Sequence, residues 1–271
     1  MRFLGLGFRD RVSDVKTIWA FRKRLTRTKA IEALFHRFDT ALRDAGYIAM
    51  WAQLVDSTLV AAPKQRNTDD EKKAVKAGKS ASEIWPRYPP KARHKDVDAH
   101  WTIQFGKART PPDSGTPSPD IAIPTFGYNN RPSIHRGFRS IRKWDVTDAA
   151  QHDCRMLRRG LLDRSNTASG VWADSAYRSK KNEAFMSRRG FLSHVHRRQP
   201  KGKPMPKHIQ RGNRIPSKHR APVEHVFAVH RHMMALTIRT IGIARTKTKI
   251  GLANITYTIR RLAQIGGMVV T

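Results

Sequence analysis

The imbalance of charge is the feature that most restricts what this chain can fold into and bind. Lysine and arginine together number 53 against 21 aspartate and glutamate residues, a formal net charge of +32 over 271 residues. So much like charge opposes compaction unless a polyanion lies nearby. The phosphates of nucleic acid are the predicted partner, through strong, salt-dependent contacts. Charge by itself does not separate an enzyme from a highly basic packing protein.

Composition excludes several other classes. Hydrophobic residues make up 39% of the chain, which is enough to fold a core. No stretch approaches the ~20 uninterrupted apolar residues of a membrane span, and the first apolar run is too short for a secretory signal. A single cysteine, Cys154, excludes a disulfide framework and a cysteine-based zinc module. We therefore expect an intracellular protein that does not bind membranes.

The first part of the chain predicts two helices within residues 13–46. Ser13 is the expected cap of the first helix, Thr28 the expected cap of the second, and Gly46 the expected stop. Apolar residues follow helical spacing in both, namely Val15, Ile18, Phe21 and Leu25, then Ile31, Leu34, Phe35, Phe38 and Leu42. A cluster of lysines and arginines surrounds the junction. A helical hairpin packed on the next domain and a DNA-contacting module explain this segment equally well.

The remainder predicts a mixed α/β sheet rather than a helical bundle. Residues 51–61 have the composition of a buried strand, whereas residues 62–124 hold nine of the fifteen prolines and are predicted mostly as loop, with a short strand at 101–105. Residues 126–135 and 139–147 predict a hairpin around Arg136 and Gly137. The later predictions are a helix at 148–162, a strand at 171–174, a helix at 179–189, a strand at 191–196, a basic loop at 197–219, and helices at 218–233 and 248–264.

Two aspartates are placed within apolar segments of this basic chain. Asp56 interrupts the run Leu54-Val55-Asp56-Ser57-Thr58-Leu59-Val60, and Asp174 ends the strand that begins at Val171. A buried carboxylate costs several kcal/mol unless it is paired or bound to a metal ion. A salt bridge to an arginine, or a helix cap, is the structural explanation for each one taken singly.

Glu224 is the only acidic residue among residues 184–271, a stretch that carries eighteen lysines and arginines. Arg220, Glu224 and Arg231 fall within about 40° of one helix face, along ~16 Å of axis. An ion pair of Arg220 with Glu224 would contribute only a few tenths of a kcal/mol, and it does not explain why this acid stands alone. Three carboxylates can hold two Mg²⁺ ions ~3.5–4 Å apart for phosphoryl transfer, while surrounding cations hold nucleic acid.

The chain resembles the insertion-sequence-5 family of bacterial DDE transposases over nearly its whole length. The matching blocks are Lys16–Trp19 with Phe21–Leu25, Ile31–Phe35, Val55–Thr58, Asp98–Thr102, Gly127-Tyr128, Val146–Ala149 with His152-Asp153, Val171–Ser179, Val223–Phe227, and Ile241–Arg245 with Lys249–Asn254. Most blocks are weak singly, and their order makes them specific. The resemblance implies a ribonuclease-H-like mixed sheet flanked by helices, and metal-dependent cleavage and strand transfer of DNA.

What the resemblance implies for individual residues follows from the aligned motifs. Asp56, Asp174 and Glu224 match the three acids that hold two divalent ions, Mg²⁺ with Mn²⁺ as an alternative. Arg220 and Arg231 match the arginine and the usual lysine of a Tyr–Arg–Glu–Lys pattern, with Ser217 in place of its tyrosine. We also expect DNA contacts from Arg178, and from Arg197, Arg198, Lys201 and Lys203 in the basic segment at 197–214.

The resemblance also implies an organisation and a setting. Residues 1–48 would form a helical segment for end binding or dimerisation, residues 49–265 the catalytic domain with a Pro-rich insertion at 62–124, and residues 266–271 a tail. The expected partners are transposon ends, target DNA and a second copy, in the bacterial cytoplasm at the nucleoid. Family members carry more helical sequence before this segment, so Met1 is expected to be an internal start or the copy a decayed element.

Departures and alternatives complete the interpretation. The resemblance would place lysine at Asn129 and histidine at Arg131, which puts accessory DNA contacts in doubt. A covalent recombinase using His152, Arg155 and Tyr177 is an alternative enzyme, and a non-catalytic basic DNA-binding protein or an inactive remnant is the alternative without catalysis. Among other residues, His225, His230 and His232 are expected on the helix surface or facing phosphate, and Trp172 in the core rather than stacked on a base.

Overall fold

A computed structural model describes residues 12–47, 52–106, 120–164, 166, 169–200 and 203–266. Its helices are α1 (Val15–Arg27), α2 (Ile31–Asp44), α3 (Asp69–Lys76), α4 (Ala81–Ile84), α5 (Pro89–His94), α6 (Asp153–Met156), α7 (Lys180–Arg188), α8 (Lys207–Ala228) and α9 (Ile243–Ile265). Its strands are β1 (Gln53–Val55), β2 (Thr58–Ala61), β3 (His100–Gly106), β4 (Ile121–His135), β5 (Ile141–Asp148), β6 (Gly170–Trp172) and β7 (Leu192–Ser193). No helix in these ranges is long and apolar enough to cross a membrane.

The strands form one mixed sheet around the long strand β4. Strands β2, β1, β3 and β5 all pair with β4 in the antiparallel direction, whereas β6 pairs parallel to β1 and β7 parallel to β6. Strands β1 and β2 contact successive stretches of β4, so they are two parts of one strand that is broken at Asp56 and Ser57. An antiparallel half followed by two parallel strands confirms the predicted mixed sheet flanked by helices.

Helices cover both faces of this sheet because side chains alternate along its central strands. Leu54 and Trp172 face a core layer completed by Phe35 of α2, Val223 of α8 and Tyr257 of α9. The next residues along the same strands, Val55, Val171 and Ala173, face the opposite layer, which includes Met156, Leu157 and Met186. By this alternation, side chains at positions 56 and 174 point to the layer that holds α8.

The N-terminal helices begin differently from the prediction. Asp14, not Ser13, caps α1 by accepting from the Thr17 amide at 2.6 Å, because a carboxylate oxygen is the stronger acceptor at a helix start. Thr28 follows the end of α1 and its hydroxyl donates back to the Arg24 carbonyl, while α2 has no side-chain cap. Gly46 has a φ of 76° just after α2, as a C-terminal stop requires.

Segment 62–124 contains more regular structure than its prolines predict. Three short helices lie there, and both α3 and α4 begin with a capping box, from Thr68 with Glu71 and from Ser80 with Glu83. The strand predicted at 101–105 is confirmed as part of β3. The division of the chain into residues 1–48, 49–265 and 266–271 stays a prediction.

Three predictions in the second half were wrong in extent. The helix predicted at 148–162 is reduced to α6 and a single 3₁₀ turn, because β5 continues to Asp148 and a turn follows. The strand predicted at 191–196 is only two residues long. The basic loop predicted at 197–219 is helical from Lys207 onward. Contacts with the preceding segment of the same chain offset the low helix propensity of its glycine and prolines. Asn213 shows this, as its amide side chain exchanges two 3.0 Å hydrogen bonds with the Arg197 backbone.

The last helix is longer than the predicted 248–264 because its cap comes from a distant segment. Asp98 accepts the Ile243 amide at 2.8 Å, and Asp96 accepts the Gly242 amide at 3.2 Å. Both acids are more than 140 residues away along the chain, so local sequence carries no sign of this N-terminus. Asp96 also accepts the buried Tyr128 hydroxyl, which ties α9 to β4.

Candidate active site at the ends of β1 and β6

Two of the three predicted acids lie side by side at the ends of neighbouring parallel strands. Leu54 of β1 pairs with Trp172 of β6, and Asp56 and Asp174 each follow by two residues. Strands paired in this way are ~4.8 Å apart, and residues two apart share a face. The register therefore brings the two carboxylates together on the side of the sheet that α8 covers.

Asp56 is a buried carboxylate with a single ionic partner. Its Oδ2 atom lies 2.5 Å from Nη2 of Arg220 on α8, and its Oδ1 atom accepts the Ser57 amide at 2.9 Å. Burial raises the pKa of Asp56 to about 6, although the Arg220 guanidinium opposes the rise; the nearby Asp174 adds to it. The ionised form of Asp56 is therefore destabilised by burial at this position.

Asp174 occupies the start of the turn that follows β6. Its Oδ1 atom accepts the Ala176 amide at 2.8 Å, and the side chain is half-buried. His196 borders the same place, where burial and the Arg220 charge lower its pKa and Asp174 opposes that change. The structure therefore groups Asp56, Asp174, Arg220 and His196 around one point.

Glu224 does not complete a cluster with the two aspartates. It is exposed on α8, one turn beyond Arg220, and the described residues contain no group of three histidine, cysteine or acidic side chains arranged to hold a metal ion. The expected meeting of Asp56, Asp174 and Glu224 is therefore absent from this structure. Arg220, from the same helix, is the residue that reaches Asp56.

The helix face predicted for Arg220, Glu224 and Arg231 does not extend to its last member. A π-turn at Val229–Met233 follows α8, so the α-helical spacing assumed for Arg231 ends at Ala228. Arg231 is exposed in this π-turn, and so is His232. His230, expected at the surface, is instead buried against Tyr257, and burial lowers its pKa to about 4.

Of the other predicted DNA-binding residues, two donate hydrogen bonds to nearby backbone carbonyls and two are exposed to solvent. Arg178 donates to the Val195 carbonyl at 2.7 Å, and Arg198 donates to the Ser175 carbonyl at 2.7 Å. Both guanidinium groups thereby support the chain around the turn after Asp174. The side chains of Arg197 and Lys203 are exposed, and Lys201 lies outside the described residues.

A buried ionic network next to Asp56 escaped the sequence analysis. Arg131 is fully buried; its Nε atom donates to Asp153 at 2.7 Å and its Nη2 atom to the Gln151 carbonyl at 2.6 Å. Asp153 in turn accepts the Ser57 hydroxyl at 3.0 Å. A fully buried Arg131 does not contact DNA in this structure. It instead holds Asp153, which accepts a hydrogen bond from Ser57, the residue after Asp56. The sequence feature that could have indicated this network is the position of Arg131 inside a predicted strand, where a charged residue needs an ionic partner.

Tyr177 and Trp172 are both core residues in this structure. The Tyr177 side chain is fully buried, and burial raises the pKa of its hydroxyl well above the ordinary value, with Asp153 and Asp56 adding to the rise. A buried neutral phenol is not a nucleophile for DNA, which contradicts the covalent recombinase alternative. Trp172 is buried and stacked on His194 at 4.3 Å between ring centroids, with Arg136 also against the ring, as core packing predicts.

A cleft beside this network adds two lysines that the sequence did not indicate, Lys76 and Lys79. It has a volume of about 770 Å³ and lies between the end of α3 and the start of α6. Lys76, Lys79 and Arg155 line it together with His152 and Asp148. The cleft does not contain Asp56 or Asp174, so it is a neighbouring surface rather than the acidic site itself.

Removing the charge of Asp56 should stabilise the fold at neutral pH. The folded-state pKa lies above the unfolded value of 3.8, so wild-type stability falls as pH rises from about 4 to 6 and is level beyond. Asp56→Asn should therefore raise the free energy of unfolding by roughly 1–3 kcal/mol near pH 7 and by much less near pH 4. Chemical denaturation in chelator at both pH values measures the gap. An equal gap at the two pH values would contradict the assigned burial cost.

Comparisons with known proteins were consistent with part of this picture. Residues 134–259 match the family model described as "Transposase DDE domain", a range that includes Asp174 and Glu224 and begins after Asp56. No curated protein matches the sequence.

Two solved structures show a weak overall likeness. A Mos1 transposase paired-end complex with left transposon end has 12% identity and a TM-score of 0.26, covering 98% of this chain and 91% of that one. A pre-cleavage Mos1 transpososome gives the same identity and TM-score and covers 96% and 79%. Overlap at this level adds nothing to the strand order described above. The match over residues 134–259 supports a DDE transposase domain in that part of the chain.

Proposed function

We propose that this chain is a DNA transposase that cleaves transposon ends and joins the released 3′ ends to target DNA. The observation that carries the proposal is the pairing of Asp56 and Asp174 at the ends of β1 and β6, inside a chain of net charge +32. Two adjacent acids in so basic a protein repel each other and lose solvation, and a bound cation offsets both costs. The match to a transposase DDE domain supports the same activity.

The donor set fits a hard divalent cation. Carboxylate oxygens are the ligands that Mg²⁺ and Mn²⁺ prefer, and Asp56 and Asp174 supply them on neighbouring strands. Glu224, the only acid on α8, is the proposed third ligand. Two such ions would supply Lewis-acid stabilisation of both oxygens in an in-line displacement at phosphorus.

The remaining residues of the site bind and position DNA. Arg220 neutralises Asp56 in this structure, and its guanidinium fork also suits a phosphate. Exposed cations at Arg197, Lys203 and Arg231 extend the basic surface, and Lys201, outside the described residues, is proposed as a further DNA contact. Arg178 and Arg198 support the turn beside Asp174. We propose that two copies of the chain act together on two transposon ends.

The test is cleavage of DNA taken from both flanks of the coding region. Supercoiled plasmids carrying these flanks should be nicked in Mg²⁺ or Mn²⁺ and remain intact in chelator, with free 3′-hydroxyl ends and no protein bound to the DNA after denaturation. A covalent adduct formed in chelator would show a recombinase. Tight, salt-sensitive binding without cleavage in either ion would overturn the catalytic proposal.

A non-catalytic DNA-binding remnant is the second candidate. The position of Glu224 is the observation that favours it, because this acid is exposed and belongs to no group of three metal-ligating side chains within the described parts of the chain. Glu224→Gln separates the two proposals, since it should abolish nicking if the helix brings this acid to the aspartates on DNA. Equal nicking by the variant and the wild type would remove Glu224 from the site.

A further inference from the structure

A projecting β-ribbon is the most unusual surface of the described chain. Strand β3 pairs with residues 121–127 of β4, whereas β2 and β5 contact β4 only from Gly127 and Tyr128 onward. We call the paired residues 100–106 and 121–127 the arm. Beyond the main sheet the arm has two strands only, and such ribbons are marginally stable in water without something packed against them.

The arm exposes an apolar face. Residues paired across antiparallel strands share a face, so Trp101, Ile103 and Phe105 lie on the same side as Phe126, Pro124 and Ala122. Trp101, Ile103 and Phe105 are 47%, 58% and 67% exposed. The opposite face exposes Ile121 and Ile123, at 60% and 49%, so the row of three is the larger of two apolar surfaces. Large apolar side chains exposed in a row along a ribbon mark a contact surface rather than scattered surface residues.

The arm also lacks the charge that characterises the rest of the molecule. None of its fourteen residues is Lys, Arg, Asp or Glu, although 27% of the chain is charged. A surface for DNA would carry cations, as α1 does, where exposed Trp19 alternates with Arg22 and Lys23. Lys64 lies over the Trp101 ring, 5.8 Å from its centroid, so the neutral part of the arm is the part around Ile103 and Phe105. This part is unsuited to the polyanion that the rest of the surface fits.

A second copy of this chain is the occupant that these features favour. A two-fold interface uses the same surface patch of both copies, so two chains of charge +32 repel each other least where that patch is neutral. The arm's outer strand edges also leave backbone groups for pairing with an identical strand. Residues 107–119, between the two strands, contain no large apolar side chain that could cover the face.

We propose that the arm is the contact through which two copies of this chain associate, with Ile103 and Phe105 at its centre. The inference rests on the proposed function only in the statement that two copies act together. It names the surface, and it does not require that the acids be catalytic. Association through the arm is expected without DNA.

The experiment is sedimentation velocity on the full chain without DNA, in about 0.5 M salt to screen charge repulsion. The wild type should sediment at twice 30.9 kDa at micromolar concentration. Ile103→Lys with Phe105→Lys should weaken association at least about 100-fold, because four like charges would meet in an apolar contact. Gln104→Lys is the matched control, since it adds a charge to the same strand on the opposite face and should change association less than about threefold.

The variants must also show that the fold is intact. An unchanged thermal unfolding midpoint satisfies this for the lysine variant; should it unfold, Ile103→Thr with Phe105→Thr keeps strand propensity and should still weaken association about 10-fold. A wild type that stays monomeric would overturn the proposal. Undiminished association of folded arm variants, or equal weakening by Gln104→Lys, would also overturn it. Nicking measured on the same samples tests the proposed function separately.

Discussion

Replacing Asp174 with alanine is expected to reduce divalent-ion-dependent nicking at least about 1000-fold, the equivalent of ~4 kcal/mol of transition-state stabilisation. The carboxylate lies beside Asp56 at the end of β6, and no neighbouring acid among the described residues completes a ligand set in its place. DNA binding should be retained or slightly tightened, because the substitution removes a negative charge from a basic surface. Gel assays of nicking and salt titrations of binding measure the two effects.

Two further variants make this result specific. Asp174→Asn keeps an oxygen for the Ala176 amide, so an equal loss of nicking in this variant assigns the effect to charge rather than to the turn. Asp145→Ala removes a carboxylate from β5, where it contacts Lys247 at 3.5 Å, and should nick like the wild type. Wild-type nicking by Asp174→Asn would remove Asp174 from the mechanism.

Replacing Arg131 with methionine is expected to lower the free energy of unfolding by about 3–5 kcal/mol, which is the usual loss when one partner of a buried ion pair is removed. The substitution leaves Asp153 without its 2.7 Å partner and deprives the Gln151 carbonyl and the Thr147 hydroxyl of a donor. Chemical denaturation at neutral pH measures the loss.

The Arg131 prediction has its own controls. Adding Asp153→Asn to the Arg131 variant should recover part of the loss, because no unpaired charge then remains. Arg155→Met, an exposed arginine on the same short helix as Asp153, should change stability by no more than about 0.5 kcal/mol. A loss below about 1.5 kcal/mol for Arg131→Met would show that water satisfies Asp153 in the variant.

Asp56 and Asp174 supply two carboxylates, and the proposed third ligand, Glu224, does not lie beside them in this structure. Arg220 and Glu224 lie one turn apart on α8, and in this structure the arginine is the residue that reaches Asp56. Arg220 and a cation compete for the same carboxylate, because both neutralise it. The Glu224→Gln test is therefore also a test of whether α8 presents its acid rather than its arginine when DNA is bound.

Local sequence determined the parts of this protein that short-range rules control. Strand alternation predicted the β4–β5 hairpin, and the scarcity of acids among apolar residues identified Asp56 and Asp174, which the register of β1 and β6 places together. Residues 179–189 were predicted as a helix and α7 occupies Lys180–Arg188, with Ser179 as its cap. The hairpin and α7 depend on contacts within a few residues, so composition and spacing carried the information. The register that joins Asp56 to Asp174 is instead a contact between distant segments.

Only the tertiary structure decided the features that depend on distant partners. The cap of α9 comes from Asp98, the burial of Arg131 from Asp153 and Gln151, and the helical start of α8 from contacts that include the Arg197 backbone. The exposed Glu224 and the arm belong to the same group. Spacing along the chain indicates which face a residue shares with its neighbours, but burial and ion pairing depend on segments that meet only when the sheet has formed.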